Sequence, residues 1–133
     1  MADYWGHWLE MGETLGEQAP KIFQVNWFRK GADGRFLWPG FGENSRVIDW
    51  IIRRVEGDVT GRESAVGTLP LPGELNLDGI DVPEADLDEL FSIVPSSWLA
   101  EADLTEEFFA QFGDRLPAAL SEQLANLRGR LSA

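Results

Sequence analysis

The chain has 133 residues, 44% of them hydrophobic and 26% charged, a balance typical of a single globular domain and unlike that of a disordered chain. Its formal net charge of -12 opposes binding to nucleic-acid backbones and to anionic membranes, so we exclude both classes of partner. The chain has no cysteine, which excludes disulfides and thiolate chemistry. It shows neither a signal peptide nor a long apolar run, so a cytoplasmic location is expected.

The N-terminal part is predicted to combine a helix with a β-hairpin. A helix is expected over residues 3–15, with a stripe at helical spacing formed by Tyr4, Trp8, Met11 and Leu15. Alternating apolar residues predict a strand over residues 22–28 and a short returning strand over residues 35–38, joined by an Asp-Gly turn at residues 31–34. A hairpin alone is marginally stable, so it is expected to complete a sheet whose other strands lie elsewhere.

The remainder is predicted to be mainly helical, with a possible short strand over residues 65–69. The expected helices run from Asn44 or Ser45 to Gly57, over residues 83–93, after Pro95, over residues 105–112, and onward from Pro117. Their expected inward faces are Val47, Ile48, Ile51, Ile52 and Val55; Leu87, Leu90 and Phe91; Phe108, Phe109 and Phe112; and Leu120, Leu124, Leu127 and Leu131. The chain is therefore predicted to be α+β, a small β-hairpin with several helices, and to form a single unit over residues 1–133.

Residues 26–46, NWFRKGADGRFLWPGFGENSR, combine aromatic rings with glycine-rich turns. Rings such as Phe28, Phe36 and Phe41 offer broad faces on which a flat ligand stacks, and glycines let a backbone come close to it. Stacking cannot distinguish one purine from another, but the Asn44 amide could read donors and acceptors on a base edge. A simpler interpretation stays open, in which this is a hairpin tip with aromatic core residues, Asn44 caps a helix and Phe41 packs on it.

Within these residues the sequence shows no credible catalytic set and no metal site. The phosphate-loop pattern GxxxxGK[ST] is absent, and so is the nucleophile pattern GxSxG. The only histidine, His7, lies in an aromatic helix, where a packing role is expected. The acidic residues at 101, 103, 106 and 107 have the helical spacing of a solvated face.

Residues 21–50, KIFQVNWFRKGADGRFLWPGFGENSRVIDW, closely resemble the guanine-binding segment of the GTP-dependent phosphoenolpyruvate carboxykinases. The combination of NWFRK with FLWPGFGENSR carries the resemblance, which extends more loosely to DYWGHWLEMG before it and LNLDGIDVPEADLDELFSI after it. The resemblance implies that guanine lies in a pocket of phenylalanines and that the FGEN turn contacts the base, with Asn44 reading its edge. The implied site residues are Phe28, Phe36, Phe41, Gly42, Glu43 and Asn44.

Enzymes of that family convert oxaloacetate and GTP to phosphoenolpyruvate, GDP and carbon dioxide, with GTP as phosphoryl donor and manganese or magnesium as metal. Their phosphate loop, metal ligands, reactive cysteine, substrate-binding arginines and lid all lie N-terminal to the matching segment. The resemblance thus implies an inactive C-terminal fragment, part of a larger α/β nucleotide-binding lobe of the carboxykinase fold, whose partners are GTP or GDP, the substrates and the remainder of the enzyme. The alternative is a stand-alone, non-catalytic nucleotide-binding or protein-interaction domain derived from that segment.

Overall fold

A computed structural model describes all residues from Met1 to Ala133, and 56% of them are helical. The five α-helices are α1 (Ala2–Leu15), α2 (Asn44–Glu56), α3 (Glu84–Phe91), α4 (Pro95–Ala110) and α5 (Ala118–Ser132). None of these helices has the length and apolar character needed to cross a membrane. The chain divides into two compact units, one formed by Met1–Pro20 with Ile93–Ala133 and the other by Lys21–Ser92.

The unit that contains α1, α4 and α5 is held by an aromatic cluster around Trp5. The Trp5 ring meets Phe108, Phe109 and Phe112 edge-on, at centroid distances of 6.1, 5.7 and 4.9 Å. Edge-to-face pairs of this kind each contribute about 0.5–1.5 kcal/mol beyond the burial of area. The leucine stripe predicted for α5 is confirmed, since Leu131 is buried and Leu120, Leu124 and Leu127 are partly buried.

In this unit the apolar stripe of α1 is not covered, and one sequence-based expectation is wrong. The stripe of Tyr4, Trp8, Met11 and Leu15 on α1 is exposed, and the helix uses the adjacent Trp5 for packing instead. The helices expected after Pro95 and over residues 105–112 form one continuous helix, α4. Residues 99–104 contain neither glycine nor proline, so nothing in the backbone interrupts the helical hydrogen bonds there.

In the unit formed by Lys21–Ser92, the structure does not confirm the predicted α+β class. Residues 22–28 form no strand, because the Asn26 side chain accepts a hydrogen bond from the Phe28 backbone N–H at 2.9 Å and turns the chain at Trp27. Two isolated antiparallel bridges remain, Lys30 with Phe36 and Arg62 with Leu69. The predicted hairpin is thus reduced to its tip, and the possible strand at residues 65–69 to a single pairing.

The core of this unit differs from the predicted inward face of α2. Trp50 is buried, whereas Ile48, Ile52 and Val55 are exposed, so the expected burial of these three residues is wrong. The Trp50 ring meets Phe23 at 6.2 Å and 89°. Leu37, Trp38 and Leu75 complete the buried set. Burial of Trp50 is favoured over burial of Ile48 or Ile52 because a tryptophan side chain buries more apolar area than an isoleucine side chain does.

A carboxylate, Glu74, ties the loops around Trp50 together. Its two oxygens accept hydrogen bonds from the Trp50 indole at 3.0 Å and from the backbone N–H groups of Leu71, Gly61 and Thr60 at 2.9, 3.1 and 3.2 Å. These donors, the Leu71 N–H most and the Trp50 indole next, lower the pKa of Glu74 from 4.5 to about 2. The folded chain therefore stabilises the ionised form of the Glu74 carboxylate.

We expect the free energy of unfolding to fall as the pH drops from about 4.5 to about 2. The pKa of Glu74 is lower in the folded chain than in the unfolded chain. The stabilisation from ionised Glu74 is therefore complete above pH 4.5 and is lost as the pH falls to about 2. Urea unfolding of the native chain and of Glu74→Gln at a series of pH values measures this fall in the free energy of unfolding. The fall should be smaller in Glu74→Gln but unaltered in the control Glu63→Gln, an exposed glutamate of the same unit. Equal curves for the native chain and Glu74→Gln would contradict the assignment.

Candidate functional site

The turn that precedes α2 holds a large ring outward on a strained backbone. Phe41 has φ of 48° and is the one non-glycine residue with positive φ, a conformation that costs a side-chain-bearing residue about 1–2 kcal/mol. Gly40 before it has φ of 77°, which only glycine adopts freely. The Phe41 side chain is 96% exposed. Strained backbone conformations cluster at active sites and ligand-binding positions, so this residue is a candidate for a functional role.

Arg46 on α2 holds this turn against a neighbouring loop. Its Nε donates to the Glu43 carboxylate, while Nη1 and Nη2 donate to the backbone oxygens of Asn76 and Asp78 at 2.8 and 2.9 Å. A guanidinium can bind three acceptors at once because its N–H groups form a rigid planar fork. The fork therefore fixes Glu43, which lies within the turn, to a loop some thirty residues further along the chain.

Asn44, the first residue of α2, does not cap the helix. No side-chain capping bond is present at this end, and the Asn44 oxygen Oδ1 instead accepts a hydrogen bond from the Trp38 indole Nε1 at 3.1 Å. Trp38 is buried and Asn44 partly buried. The amide is thus held by the core of the unit, and the interpretation of Asn44 as a helix cap is wrong.

Phe28 and Phe36 form a second aromatic feature at the tip of the reduced hairpin. Their ring centroids lie 6.1 Å apart with an interplanar angle of 62°, and both side chains are exposed. The Lys30 ammonium lies 4.9 Å from the Phe36 centroid, close enough for a cation–π interaction. The contact between backbone N–H of Leu37 and the oxygen of Arg29, at 3.0 Å, brings the two sides of this tip together.

The structure brings the predicted site residues together in two groups. Phe28 and Phe36 contact each other, whereas Phe41 contacts no aromatic ring. Phe41, Gly42, Glu43 and Asn44 follow one another in the second group. Gly42 and Glu43 line an open depression of about 470 Å³, whose other lining residues are Ser45, Arg46, Asp49 and Asn76. Binding of guanine by the three phenylalanines stays a prediction.

Sequence reasoning missed Trp38 and Arg46, which hold the turn. A signal existed for Arg46, because an acidic and a basic residue three apart at a helix start, here with Glu43, are placed to pair. No comparable signal exists for the bond from Trp38 to Asn44, since it depends on how the intervening Pro39–Gly40 backbone turns.

A second cavity, of about 310 Å³, lies between α4 and α5 in the other unit. Its charged lining residues, Glu106 and Arg128, already bind each other at 3.0 Å. Arg128 also binds Asp103 at 2.7 Å, so the basic group has its counter-charges within the chain. The structure also contains no group of three or more His, Asp or Glu side chains that could hold a metal ion. The turn before α2 is therefore the stronger candidate site.

Comparison with known proteins decides the family. The sequence model for the phosphoenolpyruvate carboxykinase C-terminal P-loop domain matches residues 1–130. The chain belongs to this family. It is 47% identical to the GTP-dependent phosphoenolpyruvate carboxykinase of Neocallimastix frontalis over 135 residues, which cover 100% of the chain and 22% of that protein. Identity to the enzymes of Corynebacterium glutamicum and Corynebacterium efficiens is 43% and 42%, over 98% of the chain and 22% and 21% of the relatives.

The chain thus spans about a fifth of the length of the carboxykinases that it matches. The family resemblance of residues 21–50 extends over essentially the whole chain. Although the family domain is described by its P-loop, these residues contain no GxxxxGK[ST] sequence.

Proposed function

We propose that this segment recognises the guanine base for a GTP-dependent phosphoenolpyruvate carboxykinase. The complete enzyme would convert oxaloacetate and GTP to phosphoenolpyruvate, GDP and carbon dioxide, a reaction of gluconeogenesis. Family membership supports the reaction, and the turn before α2 supports the role of this segment in it. The observation that carries the proposal is the exposed Phe41 ring on a strained backbone, three residues before an amide that Trp38 holds in place.

The proposed division of labour follows from what each group offers a purine. Phe28, Phe36 and Phe41 supply faces for stacking, which contributes about 1–3 kcal/mol per base but does not select guanine. Gly40 and Gly42 let the turn approach the base closely because they carry no side chain, and Glu43 is held in the same turn by Arg46. Asn44 selects guanine, because an amide carries both a donor and an acceptor and a mismatched base edge leaves one of them unpaired.

Phosphoryl transfer and decarboxylation would depend on groups outside these residues. The net charge of -12 and the lack of a phosphate loop make this chain a poor partner for a triphosphate. The polypeptide N-terminal to the segment would bind the GTP phosphates, the manganese or magnesium ion and oxaloacetate. Residues 1–133 would then act as a single unit at the C-terminal end of the nucleotide-binding domain of a cytoplasmic enzyme.

The purified chain is expected to bind guanosine without catalysing the reaction. Phosphoenolpyruvate formation from oxaloacetate and GTP should equal the blank, because the chain has no GxxxxGK[ST] pattern and no group of three or more His, Asp or Glu side chains that could hold a metal ion. Tryptophan fluorescence should change on adding guanosine more than on adding adenosine, because the buried Trp38 bonds directly to Asn44. The Corynebacterium glutamicum carboxykinase serves as the positive control in the activity assay. Turnover above the blank would contradict the proposed division of labour.

Exposed apolar residues outside the turn favour one alternative, a protein-interaction domain that derives from this segment. Ile22 is 95% exposed and Trp8 is 62% exposed, although both are large apolar residues. Such a domain would show self-association in size-exclusion chromatography and no fluorescence response to guanosine. The same two measurements therefore separate the two functions.

A further inference from the structure

The orientation of the Asn44 amide is fixed by its partner. Trp38 Nε1 lies 3.1 Å from Asn44 Oδ1, and an indole N–H can only donate a hydrogen bond. The atom facing it must therefore be the amide oxygen and not the amide nitrogen. Trp38 is 5% exposed, so its ring is held by the surrounding core and keeps this donor in place.

The other side of the same amide is available to a ligand. Asn44 Nδ2 has no hydrogen-bond partner within the chain and is not enclosed by it. The side chain therefore offers two N–H donors, together with the second lone pair of Oδ1. Its polarity is set before any ligand arrives.

The fixed orientation of the Asn44 amide matters because guanine and adenine have opposite hydrogen-bond donors and acceptors at position 6 and at N1. Guanine has an acceptor at position 6, its oxygen, and a donor at N1, whereas adenine has a donor at position 6, its amino group, and an acceptor at N1. An amide that is free to rotate by 180° can match either edge. An amide that cannot rotate matches only one of them.

We propose that Trp38 is a positioning residue for base specificity, which locks the Asn44 amide with its donors free and so selects 6-oxopurines over 6-aminopurines. This inference rests on the guanine recognition proposed above and names the interaction that makes it selective. Rotating the amide would place Nδ2 against Trp38 Nε1, donor against donor, and would lose the hydrogen bond that holds it. The core thus penalises the orientation that suits adenine.

Trp38→Phe tests this in a complete carboxykinase that carries the segment. The variant keeps a buried ring but removes the indole N–H, so the preference in kcat/KM for GTP over ATP should fall by on the order of tenfold, the equivalent of one hydrogen bond. The ratio for GTP over ITP should not change, because inosine keeps both the 6-oxo group and the N1 donor. General damage to the site would instead lower the values for all three nucleotides together.

Trp50→Phe is the matched control. Trp50 is also buried, at 4% exposure, and its indole also donates to a side-chain oxygen, that of Glu74 at 3.0 Å. The control loses the same ring atoms and a comparable bond, yet it leaves Asn44 untouched. The GTP over ATP preference should stay at its native value, and an equal fall in both variants would overturn the role of Trp38.

Asn44→Asp gives a second test that does not disturb the core. A carboxylate oxygen still accepts the Trp38 bond, and a negative charge suits the first turn of α2, so the fold should be kept. The donors are gone, so the preference for GTP over ATP should disappear. If the native enzyme has no such preference, guanine recognition itself fails. If Asn44→Asp loses the preference and Trp38→Phe retains it, only the proposal for Trp38 is overturned. If Asn44→Asp also retains it, Asn44 does not select guanine and the proposed role of the turn fails as well.

Discussion

Asn44→Ala, in a complete carboxykinase that carries this segment, is expected to lower the preference for GTP over ATP by roughly ten- to a hundredfold. The reason is that alanine offers neither donor nor acceptor to the base edge, while the rings still stack on any purine. The value of kcat at saturating GTP should change much less, because the proposed contact of Asn44 is with the base and not with the reacting phosphate. Steady-state kinetics with each nucleotide measure both effects.

The control for this prediction is Asn126→Ala, the same substitution on an exposed residue of α5. It removes an asparagine amide without touching the turn before α2. Its nucleotide preference should equal that of the native enzyme. If Asn44→Ala also keeps the native preference for GTP over ATP, Asn44 does not read the base, and the assignment of the site to this turn is wrong.

Gly61→Ala is expected to destabilise the chain by about 3 kcal/mol, a large fraction of the stability of a small domain. An added Cβ would lie 2.6 Å from Thr68 Cγ2 and 2.8 Å from the Leu69 backbone oxygen, and the residue has φ of 64°. Gly61 also donates its backbone N–H to Glu74, so the chain has little freedom to move away. Urea unfolding followed by tryptophan fluorescence gives the free energy of unfolding.

Gly57→Ala separates the steric conflict of the added Cβ from the cost of the left-handed backbone conformation. Gly57 ends α2 with φ of 88°, but an added Cβ there would meet no atom within 4 Å. This variant should therefore lose only the roughly 1–2 kcal/mol that the left-handed conformation costs. The difference between the two variants measures the steric conflict at Gly61. Equal losses would show that the close packing of Gly61 against Thr68 and Leu69 adds nothing to stability.

The proposed site would divide base selection between surface and core. The exposed ring of Phe41 gives contact area, which any flat ligand can use. The group proposed to select the base, Asn44, is hydrogen-bonded to the buried Trp38, and that bond limits the directions in which the amide can bond. Arg46 contributes by fixing the backbone between the two through Glu43. If the proposal is correct, selectivity depends on residues such as Trp38 and Arg46, which hold the site without contacting the base.

Helices were predictable from the sequence because their signals are local. The leucine spacing that leads to Leu131 and the glycine at position 57 mark real helix faces and ends, since both act within one or two turns of the backbone. Burial was less predictable. The stripe that begins with Tyr4 and the isoleucines at 48 and 52 have helical spacing but are exposed, because spacing identifies an apolar face without identifying what covers it.

The prediction of a β-hairpin was wrong for a related reason. The alternating pattern over residues 22–28 favours a strand, but a strand needs a neighbour for its backbone groups, and the Asn26 side chain offers Phe28 a nearer partner. Where a distant strand is required, a single sequence cannot say whether it is present. A local side-chain bond then decides the conformation.

The sequence by itself determined the family, the helical segments and the aromatic, glycine-rich turn, because each of these depends on residue identity and short-range spacing. Only the tertiary structure decided which rings are exposed, that Asn44 bonds to Trp38, and that Arg46 ties the turn to the loop at Asn76. These are contacts whose geometry depends on backbone turns and on packing between segments. Pattern alone does not contain that information, because it records which groups are present and not the directions in which they point.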